Sequence, residues 1–353
     1  MKNIVNLGNV ATYINGYAFK PSDWAEDGTP IIRIQDLTGN SYQMNRFKGI
    51  VDSKYDVNSG DVLISWSASL GVYVWNRGNA VLNQHIFKVV FDKEEVDKDF
   101  FVFQIDNLLK RAANQAHGAT MRHLTKPVFD ALPFYLPDIK TQRLISSKLN
   151  LIVHLIEDHH EQLKKLDELI RSRFIEMFGD PIINSLKLPC KTLSTLCDLK
   201  AGIFTSASEI HEFQSAENPY PCYGGNGIRG FVDNYTQEGK FPIIGRQGAL
   251  CGNVQLASGK FRNTEHAVIV KPKVNLNVIW LYEALILENL NRLHTGAAQP
   301  GLAVNILNQI NIPVPSIIEQ DKYEHLFIQL DKSKYREAIF LYLLEDIRIC
   351  CNI

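Results

Sequence analysis

The segment Tyr223–Gly230, YGGNGIRG, has the composition of a phosphate cradle. Such a cradle needs a glycine turn between a strand and a helix N-terminus, often followed by Lys and Ser or Thr. Here Phe231, Val232 and Asp233 follow, with neither the lysine nor G-x-G-x-x-G spacing, so tight turns needing positive φ are expected instead. Asn218-Pro219-Tyr220 shares residues with an amino-methyltransferase motif but lacks its second proline and a companion glycine-rich cofactor loop. His160-Glu161 runs on to Lys164, where a zinc-protease helix would place its second histidine. Pro137-Asp138 is not followed by the Glu-x-Lys or Asp-x-Lys of a nuclease carboxylate cluster, and no G-x-S-x-G elbow is present. Cys190, Cys197, Cys222, Cys251, Cys350 and Cys351 form no C-x-x-C pair, so reduced thiols are expected rather than a disulfide framework or zinc site. The ten histidines are scattered and read as structural. No catalytic or metal-binding constellation survives.

The remaining chemistry is recognition, and the chain is long enough to build it more than once. At 353 residues and 45% hydrophobic it has room for two domains or so. The 37 bases and 38 acids cancel to −1, so this is no general polyanion binder. Residues 1–140 carry 15 bases and 15 acids, and residues 182–315 carry 11 and 9. Any phosphate-binding surface must come from local segregation of charge. No apolar run is long enough to cross a bilayer, and the start, MKNIVNLGNVATY, lacks a signal peptide's apolar stretch. A cytoplasmic location is expected.

The elements that would position reading residues occur twice. LGNVATYING at Leu7–Gly16 matches LSTLCDLKAG at Leu193–Gly202, and GDVLISWSASLG at Gly60–Gly71 matches GKFPIIGRQGALCG at Gly239–Gly252. HGAT at His117–Thr120 matches TGAA at Thr295–Ala298, and LPFYLPDIKTQ ending at Gln142 matches INIPVPSIIEQ ending at Gln320, both 178 residues apart. Four matches in one order indicate a duplicated unit. Each unit opens with short apolar runs such as Pro30–Ile34, Val62–Ile64, Ile86–Phe91 and Ala267–Val270, broken by turn residues. Helices are expected over Asp99–Ala113 and Val278–Arg292. Each unit closes with a long helix. In the first, a strict heptad runs through Leu149, Ile156, Leu163, Ile170 and Met177, with Ile152, His159, Leu166 and Arg173 at the second core position. Gly179-Asp180-Pro181 stops it, and Phe174 covers the weak end. Tyr323, Leu326, Leu330, Phe340, Leu344 and Ile347 repeat the spacing in the second, interrupted at Ser333 and Glu337. Two such helices are expected to pack antiparallel.

The motifs together resemble the specificity subunits of type I restriction–modification systems. In the second unit the resemblance lies in YPCYGGNGIRGFVD, PIIGRQGALCGNV, TEHAVIV, GAAQPGL and IPVP…EQ. In the first it lies in NGYAFKPSDW, PIIRIQDL, GDVLIS, GATMRHL, LP…TQ and QLKKLDELIRSRFIEMFGDP. It implies an α+β protein with two tandem globular target-recognition domains, residues 1–142 and 185–316, and two long antiparallel coiled-coil helices, residues 143–181 and 317–353, related by an internal pseudo-twofold duplication. It implies a non-enzymatic DNA-binding chain, each domain reading half of a bipartite site and the helices setting the spacer. No cofactor belongs to this chain; S-adenosylmethionine, ATP and Mg are implied on partner modification and restriction subunits. The divergent end, KYREAIFLYLLEDIRICCNI, departs from the first helix and puts docking of a second modification subunit in question. Corresponding loops supply the DNA-binding candidates: Tyr17, Lys20, Arg33, Gln35, Ser65, Trp66, Ser67, Thr120, Arg122 and His123 in the first domain, and Asn226, Arg229, Arg246, Gln247 and Gln299 in the second. The alternatives are a coiled-coil scaffold for other proteins, which leaves the duplicated loops unexplained, and a nucleotide-dependent enzyme, which the missing motifs oppose.

Overall fold

The computed structural model describes residues 3–115, 125–296 and 300–351. It divides into two compact units, Met1–Asp158 with Leu341–Ile353, and His159–Phe340. The first holds an antiparallel sheet in the order Thr12–Asn15, Ile86–Val90, Val62–Ser65, Gly71–Val74. A five-stranded sheet of short strands contains the parallel pair Thr29–Ile32 and Ala80–Leu82. Helix Lys98–Gln115 buries Phe100, Phe101, Ile105 and Leu109 with Leu7, Phe87, Phe129 and Phe134. The second unit has one six-stranded sheet, ordered Cys197–Ala201, Ala267–Pro272, Gln237–Gly245, Val254–Asn263, Tyr220–Gly224, Gly227–Val232. Helix Val278–Leu287 packs on it through Trp280, Leu281, Ala284 and Leu285.

The duplication is visible strand by strand. A two-stranded ribbon, Ile4–Asn6 with Pro133–Tyr135, recurs as Cys190–Thr192 with Asn311–Pro313. The glycines that end the first repeated motif show why they recur. A Cβ on Gly16 would lie 2.0 Å from the Asn83 carbonyl oxygen, and one on Gly202 would lie 1.8 Å from that of Asn263. Only glycine allows either backbone approach.

Each sequence repeat ends in a long helix with a polar cap. The central helix spans Ile139–Phe178 and the C-terminal helix Ile317–Cys351. Asp138 accepts hydrogen bonds from the backbone N–H groups of Lys140 and Thr141, so it is a helix cap. Those bonds, led by that of the Thr141 hydroxyl, hold its carboxyl below the usual range. Ser316 and Glu319 cap the second helix reciprocally. In the first turn of each helix sits a buried glutamine, Gln142 or Gln320, each 1% exposed. Gln142 Oε1 accepts the Asp97 N–H at 2.9 Å while its amide donates to the Pro137 carbonyl at 2.8 Å. Gln320 Oε1 accepts the Asn277 N–H at 2.9 Å while its amide donates to the Pro315 carbonyl at 2.9 Å.

In the second unit the helices run antiparallel, because His159 meets Glu337, Lys334 meets Asp167 and the Tyr323 hydroxyl meets the Ile170 carbonyl. The central seam follows the expected heptad through Leu149, Ile156 and Ile170. It then steps by four to Phe174 and Phe178, and Arg173 is exposed. An α-helix turns every 3.6 residues, so a heptad stripe drifts until the next residue takes over. The C-terminal seam needs a larger correction. Phe340 and Ile347, expected on it, are each 46% exposed. The inward positions are Tyr323, Phe327, Leu330, Lys334, Glu337, Leu341 and Leu344, alternating steps of four and three. Reading Phe340 as a core residue shifted the phase by one; Leu341 takes its place, and the polar pair Lys334 and Glu337 is part of the seam.

Two outcomes follow from this packing. Gln320→Ala strands the Asn277 N–H and the Pro315 carbonyl in the interior and should cost about 1–3 kcal/mol. Urea unfolding of the full chain measures this against the exposed control Gln329→Ala; a difference below about 0.5 kcal/mol would remove the joint from the account. The second concerns Glu283, buried on helix Val278–Leu287, whose carboxyl burial pushes up to about 7 against the opposing pull of Arg171 and Lys334. An acid whose folded pKa lies above its unfolded value holds more protons folded than unfolded between the two. Its contribution therefore falls as pH rises from about 4.5 to about 7. Glu283→Gln should raise the melting temperature at pH 8, by a margin that shrinks toward pH 5.

Candidate nucleic-acid interface

In the second unit, three turns meet at one end of the six-stranded sheet. The Gly224–Gly227 hairpin, the Arg246–Gly248 turn and the Thr264–His266 turn are linked through backbone. Thr264 N–H donates to the Tyr223 carbonyl at 2.9 Å, and Arg246 N–H donates to the His266 carbonyl at 3.0 Å. Glycine allows the contact: a Cβ on Gly245 would lie 1.8 Å from the Gly225 carbonyl oxygen. A fourth segment joins, because Gly248 N–H donates to the Pro300 carbonyl and Leu302 N–H to that of Arg246. Asn226, Arg229 and Gln247 are exposed on this surface, Arg246 is half-buried, and Asn226 accepts from the Asn253 amide at 3.0 Å.

The first unit builds the corresponding place from different side chains. Tyr17 N–H donates to the Leu82 carbonyl and Gln84 N–H to that of Tyr17; Asn83 N–H reaches the Ile32 carbonyl, next to Arg33. Trp66 N–H donates to the carbonyl of His85. Tyr17, Arg33 and the Ser65–Ser67 segment thus surround the Asn83–His85 turn. Tyr17, Lys20 and Gln35 are exposed. Tyr17 packs edge-on against Phe19 at 4.8 Å and Tyr55 at 5.6 Å.

Several candidates are committed to the fold. Ser65 is fully buried and its hydroxyl donates to the Ser69 carbonyl, while Ser67 is buried as well. Trp66 donates its indole N–H to Asn15 at 3.1 Å and stacks on Phe87 at 5.7 Å. Arg33 N–H donates to the fully buried Asp36 at 2.9 Å, and the guanidinium lies between that carboxylate and the Trp24 ring. Lys20 N–H donates to Asp23, closing a helical turn. Thr120, Arg122, His123 and Gln299 lie outside the described residues.

Sequence reasoning passed over the turn before each central strand. His85 directly precedes strand Ile86–Val90, and His266 directly precedes Ala267–Pro272. A histidine at the same place in both repeats was the available signal. Buried polar atoms without a hydrogen-bond partner concentrate around these turns: Arg33 Nε, Asp36 Oδ1 and Asn83 Oδ1 in the first unit, and Arg246 Nε, Arg262 Nε, Thr264 Oγ1, Glu265 Oε2 and His266 Nδ1 in the second. Each such atom costs free energy unless something supplies its partner. The exposed side chains of Asn226, Arg229 and Gln247 mix donors and acceptors, which suits base edges. Among the described residues no cluster of His, Cys, Asp or Glu could hold a metal ion, and no helix is long and apolar enough to cross a membrane. Cys190, Cys197, Cys222 and Cys251 are free, and burial pushes the Cys197 thiol up to about 12, far from a reactive thiolate.

Comparison with known proteins gives a consistent picture. The family described as "Type I restriction modification DNA specificity domain" matches residues 2–168 and 191–339. The type I restriction enzyme EcoprrI specificity subunit of Escherichia coli is 46% identical over 130 residues, 37% of this chain and 32% of that one. The first three curated relatives are matched over only about a third of their length. A crystal structure of a type I restriction–modification S subunit from M. genitalium superposes with a TM-score of 0.61 at 17% identity, covering 100% of this chain and 95% of that one. A chain from a structure describing complex assembly and conformational transition of the type I R-M system gives 0.63 at 15% identity, covering 99% and 96%. At those identities the two structures show a shared fold.

Proposed function

The chain belongs to the type I restriction–modification DNA specificity family, and on that premise we propose that it is the sequence-reading subunit of such a complex, each domain recognising one half of a bipartite duplex site. The observation that carries this reading is the recurrence of one turn cluster in two domains, with exposed polar side chains at both, Tyr17 in the first and Asn226, Arg229 and Gln247 in the second. A protein-binding coiled coil would need the helices alone. In this reading residues 1–142 and 185–316 are the reading domains, and residues 143–181 and 317–353 are the spacer helices. The helices set the number of unread base pairs and dock the modification subunits, which bring S-adenosylmethionine for adenine methylation. A restriction subunit with ATP and Mg supplies translocation and cleavage. The chain itself performs no chemistry.

Within the interface, the residues best placed to meet bases are Asn226, Arg229, Arg246 and Gln247 in the second domain and Tyr17, Lys20 and Gln35 in the first. Arg33, Trp66, Ser65 and Ser67 act behind them, fixing the turns.

Two experiments test the proposal, both read by sequencing the methylated bases of cells that express the chain with its modification subunit. Arg246→Ala should relax one base position of the second half-site, by about 1–3 kcal/mol of discrimination, and leave the first half-site intact. A motif unchanged at every position would make Arg246 structural. For the spacer, one heptad inserted after Asp158 and another after Phe340 keep the seam in phase and lengthen each helix by ~10 Å. That is the rise of about three base pairs at ~3.4 Å each. Both half-sites should persist with a longer unread gap; an active variant with the original gap would show that helix length does not set it.

A further inference from the structure

We propose that the first unit carries a docking groove for an amphipathic helix supplied by another polypeptide, with apolar side chains at i, i+4 and i+8 and carboxylates beside that stripe. None of the groove's lining residues belongs to the turns proposed to read DNA, so the docking does not depend on that reading.

The groove is a cavity of about 590 Å³ between helix Lys98–Gln115, the first turns of helix Ile139–Phe178 and the ribbon of Ile4–Asn6 with Pro133–Tyr135. Phe103 and Leu108 form one wall, Ile145, Leu149 and Ile152 the other, and Ile4 stands 59% exposed at its mouth. The second unit builds the same place from helix Val278–Leu287, the start of helix Ile317–Cys351 and the matching ribbon, and there it is closed. Ile170, Phe174 and Phe178 join Trp280, Tyr323 and Phe327 in one core. Phe174 and Phe178 meet the fully buried Tyr323 ring edge-on at 5.3 Å and 5.7 Å. Steps of four place the three side chains along one face of their helix. The corresponding positions in the sequence, 178 residues on from Ile170 and Phe174, are Arg348 and Asn352, which supply no such stripe.

The occupant's chemistry follows from the closed copy and from charge. An apolar trough between two helices takes the apolar face of a third, read as anchors one turn apart. The copy that is closed shows which anchors fit: one aliphatic and two aromatic side chains on successive turns. Arg111 and Lys148 stand exposed at the rim, and neither has an ion-pair partner among the described residues. Cations at a rim favour carboxylates flanking the stripe and disfavour a basic helix. The segment that closes the second unit has this composition, with Asp167, Glu168 and Glu176 beside its apolar residues.

The probe is a fluorescein-labelled synthetic peptide of residues 163–181, LKKLDELIRSRFIEMFGDP, titrated into the purified full chain and followed by fluorescence anisotropy. Saturable one-to-one binding is expected. A peptide with Phe174→Ala and Phe178→Ala should bind at least about tenfold more weakly, the loss of two buried aromatic anchors. On the chain, Phe103→Glu in the groove wall should weaken binding as much, while Leu151→Glu, at a position 61% exposed on the central helix, should leave it unchanged. If Phe103→Glu fails to fold, the peptide variant decides. A second peptide, with benzoylphenylalanine in place of Phe174, locates the site, and its photo-crosslinks should fall within residues 100–111 and 145–152. Crosslinks within residues 278–287 or 317–330 would mean that the peptide had displaced the chain's own helix in the second unit, and would overturn the proposal. So would absence of saturable binding, or equal binding by the two-alanine peptide. Self-association of the chain alone that Phe103→Glu abolishes would make a second copy the occupant, and oleate binding where the peptide does not would make the groove a lipid site; either result overturns the helix.

Discussion

Gln142 and Gln320 each sit in the first turn of a long helix, and each accepts the backbone N–H of the residue that opens the neighbouring domain helix. Asp97 and Asn277, the residues so held, in turn accept N–H groups from the first turns of helices Lys98–Gln115 and Val278–Leu287. One amide therefore joins two helices at their starts, and the glutamine that supplies it is 1% exposed in both copies. A hydrogen bond of this kind adds only about 0.5–1.5 kcal/mol net. Its consequence is larger than its energy, because the only way to avoid stranded polar groups is to keep one relative geometry. The asparagine carries the joint further in the second unit, donating to Asp321 and Glu324 on the long helix. In the second unit this contact works alongside the apolar packing of Phe174 and Tyr323 against Trp280.

The same logic governs the middle of the coiled coil. An all-apolar seam would tolerate sliding by a turn, since one leucine fits another's place. Here His159 meets Glu337 and Asp167 meets Lys334, with side chains of the first pair 15% and 28% exposed. Polar groups in a seam cost desolvation and return specificity of register, the best-attested use of such pairs. A helix proposed to measure DNA by its length needs that property more than it needs stability.

Much of this was legible in the sequence, for a physical reason. Duplication copies backbone constraints faithfully, so Gly16 and Gly202, the two capping segments and the two glutamines recur at near-constant spacing and identify themselves. The seam of the central helix was legible because apolar periodicity reports burial directly. The C-terminal seam was misphased because two of its inward positions are Lys334 and Glu337, and periodicity cannot see polar residues that turn inward to pair. The interface was the least legible part. Residue type marks Arg33 and Ser65 as readers, yet a carboxylate at position 36 and a carbonyl at position 69 draw them inward. His85 and His266 look ordinary in the sequence, since their place beside converging turns arises only in the fold.

The copies also differ where a shared constraint was released. In the second unit Ile170, Phe174 and Phe178 fill the space beside Tyr323, Phe327 and Trp280. Subtracting 178 residues from Tyr323 and Phe327 gives Ile145 and Leu149, which in the first unit line a cavity of about 590 Å³ with Phe100 and Phe103. Adding 178 to Ile170 and Phe174 gives Arg348 and Asn352. The apolar residues that close the second unit thus have polar counterparts in the sequence, while the floor they would have covered is kept. Duplicated domains diverge most cheaply in this order. A joint such as Gln142 holds two elements and cannot change alone, a plug such as Phe174 touches one groove and can, and a surface turn such as Arg246–Gly248, whose backbone is fixed by its neighbours, exchanges side chains with the least disturbance to the fold.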